Sequence, residues 1–175
     1  MRLLTTAIML GVLVAAAPLG QAAEPAMVAG CSGFRFDLDH ELKLFATDPR
    51  KIDVSSGPAR IEGETLYAAL LKPQADVHFK VAPEKLMVAD GSYAGLFQID
   101  AGRFARLRVT LSEAAWVDVI DDGRPLQSVQ HTGSHDCKLL RKSVEFAIEP
   151  GSKPIIQISG STVQEIRLAV SFPAS

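Results

Sequence analysis

The sequence predicts a mainly β fold, a single jelly-roll-like β-sandwich with one short N-terminal helix. Two observations lead to this prediction. Apolar and polar residues alternate with a period of two through residues 105–127, which is typical of strands with one buried face. Short apolar segments then recur every 8–12 residues along the chain, separated by glycine and proline turns.

The alternation is clearest between Ala105 and Gln127. Leu107, Val109 and Leu111 fall on one side of a predicted strand, and Val117 and Val119 continue the pattern on the next. These five side chains are therefore expected to form part of the core. The intervening DDGRP sequence at 121–125 is typical of a tight turn.

Nine segments have strand-like composition and length, and together they predict a sandwich or barrel. They are Thr65–Leu71, Val77–Val81, Gly95–Ile99, Ala105–Leu111, Ala115–Ile120, Leu126–Val129, Ser143–Ile148, Ile155–Ser159 and Glu165–Phe172. The segment that follows Pro49, up to about Gly63, is expected to form a loop with at most one edge strand.

The predicted helix lies in an N-terminal arm at residues 34–46. Leu38, Leu42 and Phe45 recur at helical spacing, Asp37 can cap the first turn, and the Thr-Asp-Pro sequence at 47–49 ends it.

The first 22 residues resemble a secretory signal peptide, with Arg2 before an apolar run and small residues near Ala22. The run is too short to span a membrane as a helix. We therefore expect a periplasmic or secreted protein, cleaved after Ala22 or Ala23, with one domain over residues 23–175 and no transmembrane segment. The formal net charge is −2 without a basic cluster, so nucleic acid is not an expected partner.

The chain has two cysteines, Cys31 and Cys137. An even number in an exported protein favours a disulfide bond. The sequence Val28-Ala29-Gly30-Cys31 also resembles a lipobox, but polar residues and a proline separate it from the apolar run. Pairing with Cys137 is therefore the favoured prediction.

The sequence resembles two groups of known proteins, and the first resemblance supports the fold class. The segments GSYAGLFQIDAGRFARLRVTL, AWVDVIDDG, VEFAIEPGSKPIIQISG and IRLAVSF resemble pre-peptidase C-terminal jelly-roll domains. The region from Trp116 through DDGRPLQS to Cys137 and LRKSVEF resembles small exported proteobacterial proteins of unknown function. Some of those carry a homogentisate 1,2-dioxygenase label, which would imply a longer cupin-type enzyme with iron held by histidines and a carboxylate. No matching ligand motif occurs in this sequence.

The sequence HTGSHDC at 131–137 contains the most suggestive cluster of chemically active residues. His131 and His135, with a Cys137 thiolate, could hold zinc or copper. The alternative, which we favour, is a polar loop whose cysteine is oxidised and therefore cannot bind a metal.

No catalytic residues are predicted. The sequence lacks a Gly-x-Ser-x-Gly elbow, a glycine-rich phosphate loop and a His-Glu-x-x-His helix. No cofactor is expected either. Arg141 and Lys142 are interpreted as solvated charges where a strand begins.

Trp116 and Asp118 are the candidate ligand-binding residues, because they share the strand face opposite Val117 and Val119. On an exposed face they could hold a sugar or a peptide. We favour the alternative that the N-terminal helix covers Trp116.

The favoured function is a non-catalytic, exported binding module for a glycan, a peptide or an envelope protein. The alternative is a small metal-binding protein or metal-dependent enzyme that uses His131 and His135. The sequence gives no indication of the oligomeric state.

Overall fold

The computed structural model describes residues 30–54, 57–85 and 91–174. The predicted signal peptide and its cleavage site lie outside these ranges. The described chain forms two six-stranded β-sheets that pack as a β-sandwich, together with one α-helix. This confirms the predicted fold class.

Sheet 1 has the strand order β1-β3-β12-β6-β10-β9. Its strands are β1 (Arg50–Asp53), β3 (Thr65–Leu70), β12 (Glu165–Ser171), β6 (Arg106–Leu111), β10 (Lys142–Ala147) and β9 (Ser128–Gly133). All neighbours are antiparallel except β1 and β3, which are parallel.

Sheet 2 has the order β2-β5-β11-β7-β8, and β4 also pairs with β5. Its strands are β2 (Ala59–Arg60), β5 (Tyr93–Gln98), β11 (Ile155–Ser161), β7 (Trp116–Asp121), β8 (Arg124–Pro125) and β4 (Lys72–Pro73). A short 3-10 helix at Gln74–Asp76 follows β4.

The core lies between the two sheets and consists of their inward-facing apolar rows. The five residues that the alternation placed there, Leu107, Val109, Leu111, Val117 and Val119, are all buried in it. The β7–β8 turn also forms as predicted, because Asp122 and Gly123 take the positive φ angles of 47° and 73° that a tight hairpin requires.

The helix α1 (Asp39–Phe45) covers the outer face of sheet 1, where it contacts β12 and β3. Leu38 and Phe45 form a second apolar cluster there with Leu66 and Leu140. The N-cap is Leu38, and no side-chain hydrogen bond caps the helix, so the prediction that Asp37 caps it is wrong. The Asp37 side chain instead accepts a hydrogen bond from the Asp39 backbone N–H at 2.8 Å just before the first turn. Within the described residues, no helix has the length and apolar character needed to cross a membrane.

A disulfide bond joins Cys31 to Cys137, which confirms the predicted pairing. The bond fixes the start of the N-terminal arm to the segment between β9 and β10. Its sequence separation of 106 residues is long, so in the chain-entropy account it removes much of the freedom of the unfolded chain.

Arg108 on β6 connects the arm to sheet 1 through two buried carboxylates. Its Nη1 donates to both oxygens of Glu41 on α1 at 3.1 Å, and its Nη2 donates to Glu145 Oε2 on β10 at 2.9 Å. Glu145 also accepts from Arg106 at 2.6 Å and from Gln130 at 3.0 Å. Burial alone would raise the pKa of Glu145, but the hydrogen bonds from Gln130 and the two arginines outweigh it and lower the pKa.

The prediction of a strand at Val77–Val81 is wrong. These residues belong to an irregular segment, 77–85, which we call the strap. Instead of pairing with a strand, the strap is held by the side chain of Gln157, which accepts from the Lys80 backbone N–H at 2.7 Å and donates to the Val81 carbonyl at 3.0 Å. A side chain therefore satisfies backbone groups that a neighbouring strand would otherwise bond.

Two other boundaries differ from the prediction. The region before Gly63, expected to contain at most one edge strand, forms both β1 and β2. Strand β9 runs from Ser128 to Gly133, beyond the predicted end at Val129. Apart from Thr132, all its residues are exposed, so the strand lacks the apolar alternation by which a strand is recognised.

Glu145→Gln tests the role of the Arg108 ion pairs. We expect a loss of about 3–5 kcal/mol in the free energy of unfolding at pH 7, because the substitution leaves buried charge uncompensated. A carboxylate whose pKa is lowered by folding stabilises above its unfolded pKa and loses that contribution as pH falls through its folded pKa. Denaturant unfolding between pH 7 and pH 2 should therefore show a weaker acid dependence in the variant.

Glu62→Gln is the matched control, because the Glu62–Arg50 ion pair is largely exposed. It should change stability by no more than about 1 kcal/mol. Equal losses in the two variants would contradict the role assigned to Glu145.

Candidate functional site

Trp116 and Asp118 lie next to each other on the outer face of sheet 2. They are two residues apart on β7, whose intervening Val117 points into the core. The Trp116 Nε1 donates a hydrogen bond to Asp118 Oδ1 at 2.8 Å. Trp116 is half-buried and Asp118 is buried.

The prediction that the N-terminal helix covers Trp116 is wrong. The disulfide bond and the Arg108 ion pairs hold the arm on sheet 1, whereas Trp116 belongs to sheet 2. The strap lies over this part of sheet 2 instead, and its Glu84 backbone N–H donates to Asp118 Oδ2 at 3.4 Å. The Asp118 carboxylate thus holds both the indole ring and the end of the strap.

Burial raises the pKa of Asp118. The hydrogen bonds from Trp116 and Glu84 oppose this effect but only in part. The carboxylate therefore carries its charge at a cost, which the positive charge of Lys142 partly offsets.

Two ammonium groups lie over the Trp116 ring. Lys85 Nζ, from the strap, is 4.6 Å from the ring centroid, and Lys142 Nζ, from β10, is 4.8 Å from it. Both distances are typical of cation–π contacts. Lys142 Nζ also donates to the Ala115 carbonyl at 2.9 Å.

Burial, and then the charge of Lys85, lower the pKa of Lys142, and Asp118 only partly compensates. The prediction that Lys142 is a solvated charge is therefore wrong: its side chain is half-buried at Trp116. The sequence offers one weak signal of this, because Lys142 directly precedes the buried segment of β10.

Two cavities of about 310 Å³ and 190 Å³ adjoin Trp116. Lys85, Trp116, His131 and Lys142 line both of them, so we treat them as one groove, the Trp116 groove. It runs between β7 of sheet 2 and the β9–β10 edge of sheet 1, with Arg141 near one end. Among the described residues, none of the ion pairs involves Lys85, Lys142 or Arg141.

The prediction that His131 lies in a loop is wrong, because it lies on β9, where it borders the groove. His135 does lie outside the strands, and Arg141 Nη2 is within 2.8 Å of both of its ring nitrogens. Cys137 is oxidised. In the part of the chain that the structure describes, no three His, Cys, Asp or Glu side chains converge as metal ligands would.

Comparisons with protein-family models, curated proteins and solved structures find no match to this chain. The resemblances to pre-peptidase C-terminal domains and to the small exported proteins remain predictions from the sequence.

Lys85→Met tests the electrostatics of the groove. Removing one of two neighbouring positive charges should raise the pKa of Lys142, since the second charge no longer opposes its protonation. The measurement is an NMR titration of the Lys142 side-chain Cε resonance. Lys153→Met is the control, because Lys153 pairs with Asp100 on the exposed surface and should leave the Lys142 pKa unchanged. If the Lys142 pKa is the same in Lys85→Met as in the unmodified protein, the charges of the two ammonium groups do not interact.

Proposed function

We propose that this protein is an exported, non-catalytic binding module whose Trp116 groove takes a ligand with negatively charged groups. One observation carries the proposal: the Lys85 and Lys142 ammonium groups each lie within 5 Å of the Trp116 ring centroid, and no described carboxylate forms an ion pair with either. The two like charges repel, since the charge of Lys85 lowers the pKa of Lys142. An anion bound beside both ammonium groups would offset that repulsion.

The role of Trp116 follows from the same geometry. A tryptophan that stacks on a sugar needs an open ring face, whereas here two ammonium groups lie within 5 Å of the ring centroid. The ring is therefore better suited to hold the lysines in place than to bind an uncharged sugar. This favours charge recognition over stacking.

Export is supported by the signal-like N-terminal segment and by the Cys31–Cys137 disulfide bond, since such bonds persist in oxidising compartments. A groove on a rigid sandwich is also a common setting for binding.

Trp116 is the only tryptophan in the chain, so its fluorescence reports directly on the groove. We expect acidic probes, a hexagalacturonate and the peptide acetyl-(Val-Glu)3-amide, to change the emission in a saturable way. The uncharged counterparts, maltohexaose and acetyl-(Val-Gln)3-amide, should not. Affinity should fall as salt is raised, because the contacts lie near the surface.

Lys85→Met and Lys142→Met should each weaken binding of the acidic probes about tenfold or more, as expected for the loss of a charge-assisted hydrogen bond. Lys153→Met is again the matched control and should bind normally. Equal responses to charged and uncharged probes, or no response to any of them, would contradict the proposal.

A further inference from the structure

Strand β9 is an open sheet edge beside the Trp116 groove. It pairs with β10 on one side, and no described strand pairs with it on the other. Six residues, Ser128–Gly133, form it, which corresponds to a length of about 20 Å. Unpaired edges of this kind are ready templates for another chain.

The other edge strands carry features that discourage such pairing. Charged residues, prolines or very short lengths blunt an edge, and each remaining edge strand has at least one of them. They are β1 with the sequence RKID, β2 with the two residues AR, β4 with KP and β8 with RP. The β9 sequence SVQHTG contains no charged residue and no proline.

The hydrogen-bond phase of β9 shows which backbone groups are free. Ser134 N–H donates to the Arg141 carbonyl, and the register pairs Thr132 with Ser143 and Gln130 with Glu145. Backbone hydrogen bonding alternates along an antiparallel strand. The backbone N–H and C=O groups of Gln130 and Thr132 therefore point toward β10, whereas those of His131 and Gly133 point away from it, toward the open edge. The register shifts at Val129, so the regular part of the open edge is Gln130–Gly133.

We propose that an extended, acidic peptide segment of a partner protein adds as a strand to the outer edge of β9. This inference rests on the proposed function, since the charges of the groove select the occupant. His131 contributes to the open edge and also borders the groove. A strand added here presents every second side chain toward the groove, where acidic residues meet Lys85 and Lys142.

Charge also argues against a second copy of this chain as the occupant. Pairing β9 with β9 of another copy would bring together two grooves that each contain Lys85 and Lys142, and like charges across an interface are unfavourable. An acidic peptide has the complementary charge. Val129, a large apolar side chain that is 49% exposed on β9, offers such a peptide an apolar contact as well.

The first test uses the peptide acetyl-(Val-Glu)3-amide and two N-methylated isomers, one methylated on the three valines and the other on the three glutamates. All three have the same charge. An added strand bonds through alternate residues only, so one isomer should lose at least tenfold in affinity and the other should stay within about threefold of the parent. Equal binding by all three peptides, or equal loss by both isomers, would overturn strand addition.

The second test compares His131→Pro with His131→Ala. Both remove the imidazole, but only proline removes the outward N–H, and proline is tolerated where that N–H does not serve the sheet. The acidic peptide should bind His131→Pro at least tenfold more weakly than His131→Ala, while hexagalacturonate should bind both equally. Equal peptide binding by the two variants would overturn the inference. Amide NMR spectra establish that both variants are folded. The test with N-methylated peptides uses the unmodified protein, so it does not depend on the folding of any variant.

The outcomes separate the two proposals. If no acidic probe binds, the proposed function fails. If hexagalacturonate and all three peptides bind alike, the groove recognises charge and only strand addition fails. Analytical ultracentrifugation of the purified protein should show a monomer. A dimer that His131→Pro dissociates would assign the β9 edge to a second copy instead.

Discussion

The arrangement of the molecule depends on the ion pairs that Arg108 makes with Glu41 and Glu145. Sheet 1 has an outer face with charged side chains that are largely removed from water, and such a face is stable only when its charges are paired. Arg108 provides this pairing and connects β6, β10 and α1. Together with the disulfide bond, it fixes the arm on sheet 1.

This placement of the arm determines what remains available on sheet 2. Because the arm covers sheet 1, Trp116 is covered only in part, and the strap reaches it from the other side. Asp118 then holds both the ring and the strap. The result is a groove in which Lys85 and Lys142 come from segments far apart in the sequence. The open edge of β9 borders the same groove, so charge recognition and strand pairing can act on one ligand.

The sequence was sufficient to predict the fold class, the inward-facing residues and the disulfide bond, because these follow from local alternation and from the number of cysteines. The local pattern is misleading where side chains distant in the sequence form the hydrogen bonds of the backbone. The alternation in Val77–Val81 is real, but Gln157, 76 residues away from Val81, bonds this segment. The predicted strand ends at Val129, short of Gly133, because the exposed residues of β9 show no apolar row. Trp116 was identified, but its neighbours depend on which sheet the arm covers, and no local pattern contains that information.

Amide hydrogen exchange of the unbound protein tests most directly whether β9 offers a free edge beside the Trp116 groove. The account predicts alternating protection along β9: slow exchange at Gln130 and Thr132, which bond to β10, and fast exchange at His131 and Gly133. Binding of a ligand strand should then slow amide exchange at His131 and Gly133. Uniformly slow exchange at all four amides of the free protein would show that the edge is already paired and would contradict the account.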